Sequence, residues 1–111
     1  MKDYLFLFRG SNASNLSLEE SQKHMKKWED WIGGLAKAGK FKAGEPLGKE
    51  AKVIKGSKKV VTDGPFTESK EVVGGYLIVS ASSLDEATDI AKGCPNYEAD
   101  GSTEIREITS M

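Results

Sequence analysis

His24 is the one histidine in a chain of 111 residues, and imidazole is the side chain whose ordinary titration lies nearest neutral pH, which suits it to general acid and base work. On a helix it falls about 60° from the middle of the apolar stripe, with Trp28 one turn further on and on the same side. The plainer reading of such an edge histidine is a boundary residue held by a hydrogen bond. Two more side chains are placed to line a pocket: Arg9, where the first apolar strand ends, and Tyr76, directly after two glycines. Their plain alternatives are a surface arginine and a core tyrosine. Cys94 is the sole thiol, and no neighbouring base is evident in sequence, so a buried, inert thiol is expected rather than a nucleophile. One histidine and one cysteine do not make a zinc set, no carboxylate run has the spacing of a calcium loop, and "GEPLG" and "VGGY" lack the spacing of a phosphate-cradling loop. Neither a metal nor a cofactor is expected.

The elements that must hold these residues follow from composition and periodicity. The length is that of a single domain, residues 1–111, with one core. With 16 basic and 17 acidic residues the formal charge is −1, so no global field draws the chain to nucleic acid or to an anionic membrane. An unpaired cysteine fits a reducing compartment, and the apolar run of "MKDYLFLFRG" is too short for a signal-peptide core or a membrane span, so the cytoplasm is the expected location.

Tyr4, Phe6 and Phe8 alternate with Leu5 and Leu7, so a strand over residues 3 to 8 is apolar on both faces, as a central strand is. Ser17 and Glu20 have the spacing of a capping box and open a helix running to about Gly39. Its stripe of Leu18, Ser21, Met25, Trp28, Ile32, Leu35 and Ala36 should lie on the sheet. "FKAGEPLG" holds a short strand broken by Pro46, and "AKVIKGSKKVVTD" a hairpin turning at Gly56-Ser57. Residues 71 to 80 form a second strongly apolar strand, Ser83 with Glu86 opens a second helix ended by Gly93 and Pro95, and "STEIREIT" closes the sheet. Strand, helix, strands, helix, strand predicts an α+β, ferredoxin-like (split βαβ) sandwich with both helices on one face. The bare face is apolar as well, and a second copy of the chain is its simplest cover. Ferredoxin-like sheets include RNA binders, but the sequence around Gly74-Gly75 lacks the basic-aromatic signature and the lysines of "KVIKGSKK" lack interleaved aromatics, so no nucleic-acid partner is expected.

The connection "VTDGPFTESKEVVGGY", residues 61 to 76, is more elaborate than a turn needs. Asp63-Gly64 is a turn signal and Pro65 fixes its own φ. Gly74-Gly75 weakens a strand and marks a bulge or the close approach of a ligand or another backbone, so Gly75→Val is expected to harm dimer packing. This run, with the capped helix of His24 and Trp28 ahead of it and "LIVSASSLDEATDIAK" behind, resembles the DGPF branch of the YCII-related proteins over nearly the whole chain.

The resemblance implies a ferredoxin-like dimer of the α/β-barrel kind, with an acid/base pocket at the sheet and helix edge. It also implies a link to extracytoplasmic-function sigma factors, beside or fused to which some members occur. A histidine in the first helix fits the pattern, and His24 supplies it. In the plain YCII branch its acidic partner stands just before a proline after the second helix, where this chain has Cys94 before Pro95. A strict histidine-aspartate pair therefore does not carry over. Asp63 becomes the leading acid, with Glu45 and Glu71 behind it, while Lys70 with Glu68 and Glu71 reads as a solvated ion cluster or a dimer contact.

Three functional readings result. One is a small-molecule enzyme, a hydrolase or isomerase, with His24 and Asp63 catalytic in a pocket near the dimer interface. Another is a non-catalytic dimeric ligand-binding module lined by Arg9, Trp28, Glu45 and Tyr76. The last is an interaction subunit of a sigma-factor system, docking through the hairpin "KVIKGSKKVV".

Overall fold

A computed structural model describes residues 1–10, 16–48, 50–64, 72–98 and 100–109, together with the backbone of residue 99. Strand β1 (Lys2–Arg9) is followed by helix α1 (Leu18–Lys37), β2 (Phe41–Pro46), the hairpin β3 (Lys52–Lys55) and β4 (Val60–Asp63), β5 (Val73–Ala81), helix α2 (Leu84–Ala91), a 3-10 turn (Pro95–Ala99) and β6 (Ser102–Glu107). Four strands form one antiparallel sheet in the order β2-β5-β1-β6, and β3 pairs with β4 in a sheet of their own. This is a ferredoxin-like α+β sandwich with an extra β-hairpin.

The apolar alternation of β1 places it in the middle. Tyr4, Phe6 and Phe8 are buried under the helices with Leu77 and Val79 of β5, while Leu5 and Leu7 stay half-buried on the opposite face. Both capping serines act as their spacing predicts: the hydroxyl of Ser17 accepts from the Glu20 amide at 3.1 Å, and that of Ser83 from the Glu86 amide at 3.1 Å. Gly39, at φ +73°, takes the left-handed turn that follows α1. Pro46 closes β2, an edge strand, where its missing donor breaks no ladder.

The covered stripe of α1 is rotated from the expected one. Leu18, Met25 and Ala36 are exposed, whereas His24 and Trp31 join Ser21, Trp28, Ile32 and Leu35 on the inner side. The two indoles set this rotation. Trp28 meets Phe8 edge-on at 4.9 Å between ring centres, and Trp31 meets Trp28 at 5.7 Å and Phe8 at 6.3 Å.

Gly74-Gly75 marks both a bulge and a close approach, as its sequence context signals, but the approach is within the chain. Phe8 pairs with Gly75 and Arg9 with Val73, so Gly74 is the extra residue of a bulge, and its carbonyl accepts from the Leu47 amide at 3.0 Å. A Cβ on Gly75 would lie 3.1 Å from the carbonyl oxygen of Glu45 and 3.9 Å from the Phe8 ring. The close backbone is this chain's own β2, on the covered side of the sheet, and not that of a partner.

The hairpin turns through four residues rather than two, from Gly56 at φ +75° to Lys59 at φ +55°, closed by a 3.0 Å bond from the Lys59 amide to the Gly56 carbonyl. The 3-10 turn was not foreseen in sequence. It is pinned by the buried Asn96, whose side-chain amide donates to the Ser102 carbonyl at 2.8 Å, and by the Tyr97 hydroxyl donating to the Ala91 carbonyl at 3.0 Å. Among the described residues no helix is long and apolar enough to cross a membrane.

Candidate functional site

The fold separates the predicted site residues into three places: the helical layer, the hairpin and the open face of the sheet. His24 and Trp28 stand on α1, in the helical layer. Trp28 Nε1 donates to His24 Nε2 at 3.0 Å, while His24 Nδ1 faces Glu98 Oε2 at 3.9 Å. The imidazole side chain is only 13% exposed. Glu98 arrives from the 3-10 turn, and Lys27 Nζ donates to both of its carboxylate oxygens at 2.9 and 3.0 Å. Next to this pair runs a groove of about 450 Å³ between α1 and the turn, bordered by Lys27, Lys92, Tyr97 and Glu98.

This geometry limits what His24 does. With the Nε2 lone pair taken by the indole N–H, a neutral ring carries its proton on Nδ1, aimed at Glu98. The 3.9 Å separation is within ion-pair range and beyond a direct hydrogen bond. Base chemistry at Nε2 requires Trp28 to let go.

Asp63 is not brought to His24. Its carboxylate, 85% exposed, pairs with Lys52 directly across the β3–β4 ladder. Because that hairpin forms a sheet of its own, the expected His24–Asp63 pair is corrected: among the described residues, the carboxylate within ion-pair range of His24 is that of Glu98. Glu71, together with Pro65, Phe66, Glu68 and Lys70, lies outside the described residues.

Arg9, Glu45 and Tyr76 lie on the open face of the four-stranded sheet. The register aligns Glu45, Tyr76, Leu7 and Glu104 in one cross-strand row and Ala43, Ile78, Leu5 and Arg106 in the next. Leu5, Leu7, Tyr76 and Ile78 are half-buried there. Arg9 Nε lies 3.6 Å from one oxygen of Glu104, whose other oxygen accepts from Arg106 Nε at 2.5 Å. The Arg106 hydrogen bond, with the charges of Arg106 and Arg9, holds the Glu104 carboxyl below the usual carboxylate range.

Cys94 is buried, and burial pushes its thiol up to about 11, against the opposing pull of the hydrogen bond from the Asn96 amide. Its sulfur accepts from the Asn96 amide at 3.3 Å, which caps the 3-10 turn. Among the described residues no three His, Cys, Asp or Glu side chains are grouped to hold a metal ion.

Glu98, Lys27 and Glu104 escaped the sequence reading. For Glu98 a signal existed: the acid looked for in front of Pro95 comes one short turn after it, in "PNYEA".

A ferredoxin-like sandwich with a half-apolar sheet face left open by the described elements, and a histidine at the helical edge, is the class that these observations define. The YCII-related domain family matches residues 4–111, and the chain belongs to that family. An uncharacterised protein of Rhizobium meliloti (strain 1021) is 42% identical over 50 residues, which is 44% of this chain and 40% of that protein, so the match spans less than half of the relative. A solved structure of similar fold is 5-chloro-2-hydroxyhydroquinone dehydrochlorinase from Burkholderia phenoliruptrix in complex with 2,5-dihydroxybenzoquinone. It superposes with a TM-score of 0.54 at 20% identity, covering 96% of this chain and 93% of that one. The likeness agrees with the ferredoxin-like α+β sandwich described above.

Proposed function

We propose that two copies of this chain face each other across their open sheets and enclose a site for a small polar organic molecule, walled by Arg9, Glu45 and Tyr76. The observation that carries the reading is the cross-strand row Glu45–Tyr76–Leu7–Glu104, which collects charged and aromatic side chains on a half-buried apolar floor. Pockets of this make-up hold ligands by an apolar body and a few convergent polar groups. The guanidinium of Arg9 suits a carboxylate or phenolate, and the ring of Tyr76 with Leu5, Leu7 and Ile78 suits a flat apolar body. The dehydrochlorinase solved with a dihydroxybenzoquinone is an instance of this fold holding a small polar ring compound, which supports the ligand class. The test is a thermal-shift screen of small aromatic and aliphatic acids and phenols against the wild type, Arg9→Gln and Tyr76→Ala. A ligand that stabilises the wild type should lose its effect in both variants. Hits that survive both substitutions place the ligand elsewhere and end this reading.

A second reading, an enzyme in which His24 is the acid/base, has one observation in its favour: a little-exposed imidazole with a carboxylate 3.9 Å from Nδ1. In it Glu98 takes the orienting role first given to Asp63, and substrate binding displaces the Trp28 indole from Nε2. Turnover of a ligand found in the screen should then fall steeply in His24→Ala and less in Glu98→Gln. Unchanged turnover in His24→Ala rules the role out. The docking-subunit reading rests on the exposed hairpin, whose surface is accounted for more simply by a second copy of the chain.

A further inference from the structure

The hairpin β3–β4 contributes no side chain to the core. All eight of its strand residues are exposed, including Val53 at 41%, Ile54 at 67%, Val60 at 54% and Val61 at 59%. Ile54 pairs with Val61 across the ladder, so two branched aliphatic side chains share one face of the ribbon. A lone two-stranded ribbon is marginal in water, and contiguous apolar side chains left wet mark a surface that something covers.

The base of the ribbon is built with close tolerances. The Gly64 amide donates to the Ala51 carbonyl at 2.8 Å, and Lys52 pairs with Asp63 in the next position. A Cβ on Gly64 would collide with the Cβ of Ala51, so glycine alone lets the neck close. Asp63-Gly64, read in sequence as a turn signal, therefore fixes the root of a projecting arm.

We propose that this arm clasps the second copy of the chain, laying Ile54 and Val61 against it. The inference rests on the face-to-face dimer proposed above and adds a contact that the dimer reading does not require. Two observations choose the occupant. First, the chain leaves the sheet after Pro46 and re-enters it at Val73, the neighbouring ends of β2 and β5, so the arm is rooted at the end of the sheet near Glu45 and Tyr76. Second, that face is modest: four strands about 4.8 Å apart and six to nine residues long span a plane of about 450 Å², so an arm laid over the partner enlarges the contact. The chain is also expanded for a self-contained monomer, with a radius of gyration of 15.4 Å against about 13 Å for a compact chain of this length. An arm closed over a partner adds contact area and covers its own aliphatic face.

The test compares the wild type with an arm variant, Ile54→Glu combined with Val61→Glu, by sedimentation equilibrium over a dilution series, with circular dichroism to verify folding. Both sites are exposed in the monomer, so the fold should persist while the dimer dissociation constant rises about tenfold or more. Independently of any variant, amides of residues 52–63 in the wild type should exchange slowly at high concentration and quickly on dilution. A wild-type dimer whose affinity is untouched in the arm variant, with hairpin amides exchanging equally fast at every concentration, overturns the arm and leaves the dimer standing. A wild type that is monomeric throughout overturns both.

Discussion

Trp28 decides what His24 is able to do. Its indole N–H occupies Nε2 at 3.0 Å, and the same ring packs edge-on against Phe8, so the donor is held in place by the core and not by chance of rotamer. Replacing it should free the nitrogen: in Trp28→Phe, diethyl pyrocarbonate should modify His24 several-fold faster than in the wild type, with Glu98→Gln as a control that leaves the indole bond intact. Equal rates in Trp28→Phe and wild type would show that Nε2 is not held. Cys94 makes the opposite case, a reactive residue type disarmed by its surroundings. Since burial raises its thiol to about 11, the neutral form is favoured in the folded state. Its contribution to stability is whole below the ordinary thiol range and is lost as pH climbs through about 11. Iodoacetamide at pH 8 should therefore label the folded chain far more slowly than the denatured chain, and Cys94→Ala should show a shallower loss of melting temperature in alkali. The types of these residues were readable in sequence, but their partners were not. Which carboxylate meets His24 depends on where a turn after α2 comes to rest beside α1, and nothing local to either segment states it.

Whole elements were more readable because their signals are local. The capping serines, the apolar alternation of β1 and the Gly39 stop each act within a few residues, and each does in the fold what its spacing predicts. The α1 stripe was misjudged for a reason of size: periodicity weighs Leu18, Met25 and Trp31 alike, whereas in the fold two indoles and Phe8 interlock and turn the helix toward them. Gly75 shows a second limit. Its sequence context signalled close approach but not by what, and the neighbour is the Glu45 carbonyl on the covered side. Gly75→Val should accordingly lower the stability of the subunit, by about 1–3 kcal/mol as overpacked sites do, in urea denaturation. The association constant should stay unchanged. A variant with normal stability and weakened association would return Gly75 to the interface.

The whole molecule has one side finished and one side open. The helices cover Tyr4, Phe6 and Phe8, while on the reverse face Leu5, Leu7, Tyr76 and Ile78 are half-buried with no described helix over them. If that face meets its copy, unfolding is coupled to dissociation and mass action raises the melting temperature with protein concentration. Leu7 sits between Tyr76 and Glu104 in the central row, so Leu7→Lys would set a charge in the middle of the contact. The wild type should melt several degrees higher at about 100 μM than at about 1 μM, and Leu7→Lys should melt at one temperature throughout. Acid should act at the same face. The Glu104 carboxyl is lowered by its bond to Arg106, so the stability it lends is present above the ordinary carboxylate range and lost as pH falls through its depressed value. Protonation there leaves Arg106 and Arg9 facing the partner copy without that counter-charge, so the concentration dependence should fade in acid, and Glu104→Gln should show the weaker dependence already at neutral pH. A wild-type melting temperature that ignores concentration at neutral pH would mean that the open sheets do not pair, and that Arg9, Glu45 and Tyr76 face solvent rather than an enclosed site.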